Sequence, residues 1–166
     1  IRYYDTAGQA RNVDDARPQE EQPGIGELRL DPLVNEWVAM AAHRQGRIFL
    51  PPKELCPLCP TTGDLLTEIP ESDFEVVVFD NRSPSLRPPV GDWALPDMVG
   101  PDTDLGTAAG KCEVICFTAE HGNAFKDLTP QRVRTLLEAW IDRTSELSQE
   151  SFIEHIAPFE NRGEEI

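Results

Sequence analysis

Apolar residues fall in short runs separated by turn-forming clusters, and each run has a readable period. Glu27 to Leu33 and Glu36 to Ala41 are apolar-rich stretches on either side of the Asp31-Pro32 to Asn35 turn, which predicts a hairpin with Leu28, Leu30, Trp37 and Met40 as candidate core. The β-branched run Val76-Val77-Val78-Phe79 follows Phe74 and ends at Asp80-Asn81, so it reads as a central strand. Residues 83 to 110 gather Pro, Gly and Asp around isolated Trp93, Leu95 and Met98, the composition of a long surface excursion. Strand character returns from Lys111 to Thr118 with Val114, Ile115 and Phe117.

The helical period is clearest after Thr129, a good N-cap, and Pro130, which suits a first helical position. Val133, Leu136, Leu137, Trp140, Ile141, Thr144 and Leu147 then form one apolar face. A last short strand is expected over Phe152 to Phe159, leading into the polar corner Glu160-Asn161-Arg162-Gly163. Residues 1 to 26 are poor in apolar side chains and predict a mobile or docked N-terminal arm, with the folded domain covering 27 to 166. Strands on both sides of one long helix, without regular alternation, imply an α+β fold: a mainly antiparallel sheet covered by that helix.

Composition narrows the partners. Thirty acidic against fifteen basic residues give a net charge of -15, which disfavours nucleic acid and anionic membrane surfaces. No apolar run reaches membrane-spanning length and no secretory leader is evident, so a soluble cytoplasmic protein is expected. Four cysteines in 166 residues are too few for a disulfide scaffold and read as metal ligands or buried thiols.

Two of them form Cys56-Pro57-Leu58-Cys59, whose spacer lets both thiolates reach one tetrahedral zinc. A redox pair is the rival reading, but it calls for a thioredoxin-like strand-to-helix setting not seen here. The further ligands come from Cys112, Cys116, His121, His43, His155 or a carboxylate. In one strand Cys112 and Cys116 would lie about 13 Å apart, too far to share an ion, and are expected as buried thiols against the helix. His121, in a turn after that strand, is the better third ligand. In so acidic a chain, His43-Arg44-Gln45-Gly46-Arg47 stands out as a patch able to grip a diphosphate through bidentate bonds. Asn81 and Asn161 offer amides to a ribose or base edge, although asparagines in turns commonly serve their own backbone.

Taken in order, these pieces resemble one family. Arg29-Leu30-Asp31-Pro32-Leu33, Glu36-Trp37-Val38, His43-Arg44-x-x-Arg47, Cys56-Pro57-x-Cys59 and Val78-Phe79-x-Asn81-Arg82 are similar to the N-terminal half of galactose-1-phosphate uridylyltransferases, of the histidine-triad superfamily. Cys112 to Thr118 with His121, the Trp140 helix, and Pro158-Phe159-Glu160-Asn161-Arg162-Gly163 continue the likeness.

The resemblance implies a histidine-triad-like half-barrel and transfer of UMP between UDP-glucose and galactose 1-phosphate through a uridylyl-histidine. It implies zinc on Cys56, Cys59 and His121, and nucleotide-sugar contacts from Arg44, Arg47, Asn81, Arg82 and Asn161, with Leu65 an apolar neighbour. It further implies a homodimer, substrates UDP-glucose or UDP-galactose and hexose 1-phosphates, and a second metal, iron or zinc, in the other half. The family's His-Pro-His-x-Gln motif, source of the nucleophile and the fourth zinc ligand, is expected beyond Ile166, so no catalytic residue is assigned within the chain and the fragment alone is expected to be inactive. Cys59-Pro60-Thr61-Thr62-Gly63 also lacks the Gly-Asn usual after the second cysteine. The alternatives are a related histidine-triad nucleotide phosphorylase or adenylyltransferase, and a non-catalytic zinc-knuckle interaction module.

Overall fold

The computed structural model describes residues 1–6, 9–15, 26–44, 51–63, 65–89 and 105–160. They form two open antiparallel sheets and one long helix, so the α+β expectation holds and no barrel closes. The first sheet has four strands in the order β2-β1-β5-β7: β1 Arg2–Tyr4, β2 Ala10–Asn12, β5 Val76–Asp80 and β7 Glu113–Cys116. The second has the order β4-β3-β6, from β3 Glu27–Asp31, β4 Glu36–Met40 and β6 Leu105–Thr107. The helix α1 spans Pro130–Leu147.

β5 is the predicted central strand, paired with β1 on one side and β7 on the other. Its side chains alternate between faces, and both faces are covered. Val76 and Val78 join Tyr4, Leu136 and Ala139 against α1, while Val77 and Phe79 join Tyr3 and Ile69 on the opposite side. Full burial of one such side chain contributes roughly 1.5–3 kcal/mol, which is why an uninterrupted Val-Val-Val-Phe run serves a strand with no solvent face.

Within the stretch read as a mobile or docked arm, β1 and β2 pair into the first sheet, β1 directly against β5. Tyr3 and Tyr4 are buried and point to opposite faces of the sheet. The Tyr4 hydroxyl donates to Asp142 Oδ2 at 2.6 Å on α1, and the Tyr3 hydroxyl accepts from the Glu71 amide at 3.2 Å. Two aromatic rings with satisfied hydroxyls outweigh the polar composition of the surrounding segment.

At α1 the predicted boundary is met: Thr129 Oγ1 accepts from the Arg132 amide at 3.2 Å, and Pro130 occupies the first turn. The buried face is rotated from the expected one. Thr135, Leu136, Ala139 and Arg143 turn inward, whereas Leu137 and Ile141 are exposed. Arg143 lies flat against β7, its Nε and Nη2 bonded to the two Glu113 oxygens at 2.9 and 2.8 Å and its Nη1 to Glu146 at 2.7 Å. A paired arginine therefore occupies an interior position that a hydropathy pattern assigns to solvent.

The predicted hairpin is present, with Glu27 opposite Met40 and Asp31 opposite Glu36. Asp31 closes its turn, its side chain accepting from the Leu33 amide at 2.9 Å and its carbonyl from the Asn35 amide at 2.8 Å, with Asn35 at φ 55. The hairpin is not core, however: Leu28 and Leu30 are half-buried and Trp37 and Met40 are exposed. It builds the second sheet with β6, which lies inside the stretch expected to be an irregular excursion. Trp93, Leu95 and Met98 fall outside the described residues. Residues 152 to 159 form no strand, and Phe159 is largely exposed.

The segment 84–87, downstream of β5, runs along the second sheet. The Arg87 amide bonds Ala108 O at 3.2 Å, and the Ala108 amide bonds Gly26 O at 3.1 Å. A Cβ at Gly26 would come within 2.8 Å of Ser85 O, so only glycine lets the backbones approach this closely.

Candidate metal centre and nucleotide corner

The knuckle is made by local chain chemistry. Pro52, at φ −59, starts a single 3-10 turn over Lys53–Leu55, and the Cys59 amide then bonds Cys56 O at 3.3 Å, turning both sulfurs to one side. Beyond a turn at Gly63 the chain returns beneath the knuckle. The Glu68 amide bonds Pro57 O at 2.9 Å and the Thr61 amide bonds Ile69 O at 2.8 Å. Ile69 is fully buried against Val77 and Phe79, pinning this strap to the face of the first sheet opposite α1.

His121 arrives from the other direction, in the turn after β7. Thr118 Oγ1 accepts from the Glu120 amide at 3.1 Å, and Gly122, at φ +88, lets the chain reverse just past the histidine. Its Nδ1 lies 3.2 Å from Cys59 Sγ. The donor atoms of Cys56, Cys59 and His121 all fall within 4.8 Å of one another. Around a tetrahedral zinc, with bonds near 2.0–2.3 Å, ligand atoms sit about 3.5–3.8 Å apart, so small side-chain adjustments would close the set. Two soft sulfurs and one imidazole suit zinc and leave one tetrahedral position open. Among the described residues no other His, Cys, Asp or Glu joins the cluster. Burial, followed by the adjacent Cys56 sulfur, raises the Cys59 thiol above its ordinary value.

The remaining candidates sort themselves by position. His43 donates from Nε2 to Pro84 O at 2.9 Å. His155 is exposed. Cys112 lies just before β7, its sulfur 3.8 Å from Ser85 Oγ. Cys116 does not pack against the helix as expected but on the knuckle side, with Val77, Phe79 and Ile69. Alternation along β7 decides this, because Ile115 is the residue that meets α1. Burial first, then the nearby Cys56 and Cys59, push the Cys116 thiol up to about 12.

The nucleotide candidates are described only in part, since Arg47 and Asn161 lie outside the described residues. Arg44 ends the 3-10 turn Ala42–Arg44, which the His43–Pro84 bond holds against the 81–85 loop. Asn81, just past β5, bonds Cys112 O through its amide at 2.9 Å, and its Oδ1 accepts from the Ser83 amide at 2.9 Å, a local turn role. Leu65 sits at the knuckle's return turn and is exposed. Arg82 reaches back to the strap, its Nε 2.8 Å from the carboxylate of the buried Glu68. Sequence reading missed Glu68; a charged residue between Thr67 and Ile69 carries no motif, and only its burial makes it stand out.

A Cys-Cys-His cluster on one face of an antiparallel sheet, a helix on the other, and an arginine-bearing corner at the end of the central strand make up one α+β domain. Comparison with known proteins gives the family: the model for "Galactose-1-phosphate uridyl transferase, N-terminal domain" matches residues 18–166, and the chain belongs to that family. It is 39% identical to a galactose-1-phosphate uridylyltransferase of Streptomyces lividans, over 99% of this chain and 41% of that protein. It is also 39% identical to one of Thermotoga maritima, over 84% of this chain and 42% of that protein. A solved structure of a uridylyltransferase superimposes with a TM-score of 0.53 at 21% identity, covering 75% of this chain and 36% of that one, a likeness of fold. The chain thus spans about two-fifths of the length of the curated relatives it matches.

Proposed function

We propose that this chain is the metal-buttressed, nucleotide-binding half of a UDP-glucose:hexose-1-phosphate uridylyltransferase, working in galactose metabolism. The convergence of Cys56, Cys59 and His121, from two separate segments of a chain that matches the family's N-terminal domain, carries the reading. Zinc held there would tie the turn after β7 to the knuckle and support the fold. Arg44, Arg47 and Arg82 would meet the diphosphate, Asn81 and Asn161 the ribose or base, and Leu65 an apolar edge of the nucleotide. Guanidinium groups suit this task because their fork of donors matches phosphate oxygens and stabilises charge that builds on them during transfer. The attacking imidazole belongs to the histidine motif expected beyond Ile166, with a further metal, iron or zinc, in the same half.

A homodimer fits the same reading. Leu33, Val34, Trp37, Val38 and Met40 are exposed apolar residues of one hairpin, of the kind a subunit contact covers. No helix among the described residues is long and apolar enough to cross a membrane, and the net charge of -15 opposes nucleic acid. Phosphorylated sugars are the substrates that fit the family match. A cytoplasmic setting, where thiols stay reduced, suits the four free cysteines.

The test is exchange by the full-length protein. UDP-glucose and galactose 1-phosphate should yield UDP-galactose and glucose 1-phosphate, followed by phosphorus NMR, with adenine nucleotides failing to replace the uridine substrate. Turnover of ADP-sugars in preference to UDP-sugars would point to the adenylyl-transferring relatives. Binding of zinc without any binding of UDP would point to an interaction module.

A further inference from the structure

We propose that Glu68 is a positioning residue for the nucleotide site: its buried carboxylate holds the Arg82 guanidinium ready for the phosphates of a nucleoside diphosphate. The inference rests on the uridylyl-transfer reading above and adds a residue to that site.

Glu68 is one of only four buried polar or charged residues among those described, with its side chain 8% exposed. A buried carboxylate costs several kcal/mol in lost hydration unless a partner and hydrogen bonds compensate. Arg82 is one such partner, its Nε 2.8 Å from Glu68 Oε1 on a side chain that is 51% exposed. Glu68 itself cannot move far. Thr67 and Ile69 on either side are buried, and its own amide is bonded to Pro57 O at 2.9 Å. Arg82 is anchored equally well at its root, because the preceding Asn81 amide bonds Cys112 O at 2.9 Å and the Asn81 side chain caps the turn.

An exposed arginine fixed at both root and head has already surrendered much of the rotamer freedom, roughly 2 kcal/mol, that phosphate binding would otherwise remove. The contact is made at Nε, and the guanidinium carries four further N–H donors on its two Nη nitrogens. Glu68 also lies on the strap that closes beneath Cys56 and Cys59, so the rigidity of the knuckle passes through one carboxylate to the end of β5.

If Arg82 served only to neutralise Glu68, their loss would affect stability and leave the ligand indifferent. Titration calorimetry on the full-length protein, with UDP and uridine as probes, separates the two roles. The variants are Glu68→Gln, Arg82→Ala and the double variant, with zinc content and thermal midpoint measured alongside. Each single variant should weaken UDP about tenfold while leaving uridine and zinc content unchanged, and the double should bind UDP no worse than Arg82→Ala alone. Parent-like UDP affinity in Glu68→Gln, losses that multiply in the double variant, or equal loss of UDP and uridine would each overturn the proposal. A parent that ignores UDP sinks the uridylyl-transfer reading itself. A parent that binds and turns over UDP-glucose, with Arg82→Ala unaffected, sinks the role of Glu68 and spares that reading.

Discussion

Single side chains in this chain hold distant segments together. His121 and the Cys56–Cys59 pair are separated by more than sixty residues, and a shared ion would add to the direct contact of Cys59 with His121 a far stronger tie between the two segments. Replacing Cys56 with serine should lower zinc content and thermal midpoint together, measured by elemental analysis and calorimetry on the same preparation. Unaltered metal content in the variant would remove Cys56 from the ligand set. The Cys-x-x-Cys was legible because its spacing is itself the chemistry. Assigning Cys116 to the wrong face shows the limit of such reading: alternation gives which residues share a face, not which face meets the helix.

Among the elements, α1 shows how far local signals reach. Thr129 and Pro130 mark its start through their own bonding and geometry, with no help from the rest of the molecule. Thr129→Ala should cost about 1 kcal/mol of stability, read by chemical denaturation with the slope unchanged, since one orphan amide loses its acceptor. A midpoint equal to that of the parent would mean the cap contributes nothing. Its apolar stripe was broader than the face the sheet covers. Leu136 and Ala139 are buried, while Leu137, Trp140, Ile141, Thr144 and Pro158 line an open groove of about 450 Å³. β1 went unrecognised for the opposite reason. Three residues with two tyrosines give no period to detect, and they become a strand because β5 offers them a ladder.

For the whole molecule, the contact between sheet and helix is electrostatic as well as apolar. Arg2 bonds Asp142 at 2.8 Å and Glu146 at 2.5 Å, and Arg143 bridges Glu113 and Glu146, while within the sheet Lys111 sits 3.3 Å from both Asp80 and Glu113. The Tyr4 hydroxyl, then Arg2, hold the Asp142 carboxyl below its ordinary 3.8; Arg2, then Arg143, hold Glu146 below 4.5. Groups with depressed folded values stabilise fully above the unfolded values, and that stability is lost as pH falls through the folded ones. The contribution of these two carboxylates should therefore be complete above about pH 5, and the thermal midpoint should drop as acid is added below pH 4.5. Asp142→Asn with Glu146→Gln should flatten that drop. An equally steep acid decline in the double variant would show that other carboxylates carry it.

Chemistry carried by neighbours in the chain was open to reading: the hairpin turn at Asp31 and Asn35, the cap at Thr129, the β-branched strand at Val76 and the paired thiols of the knuckle. These depend on bonds and torsions a few residues long. Position in space was not open in the same way. That Tyr3 and Tyr4 enter the core, that the predicted hairpin stays outside it, and that Glu68 meets Arg82 follow from which surfaces the sheet leaves uncovered. Burial belongs to the assembled fold, because a residue loses its water only when segments remote in the chain close over it.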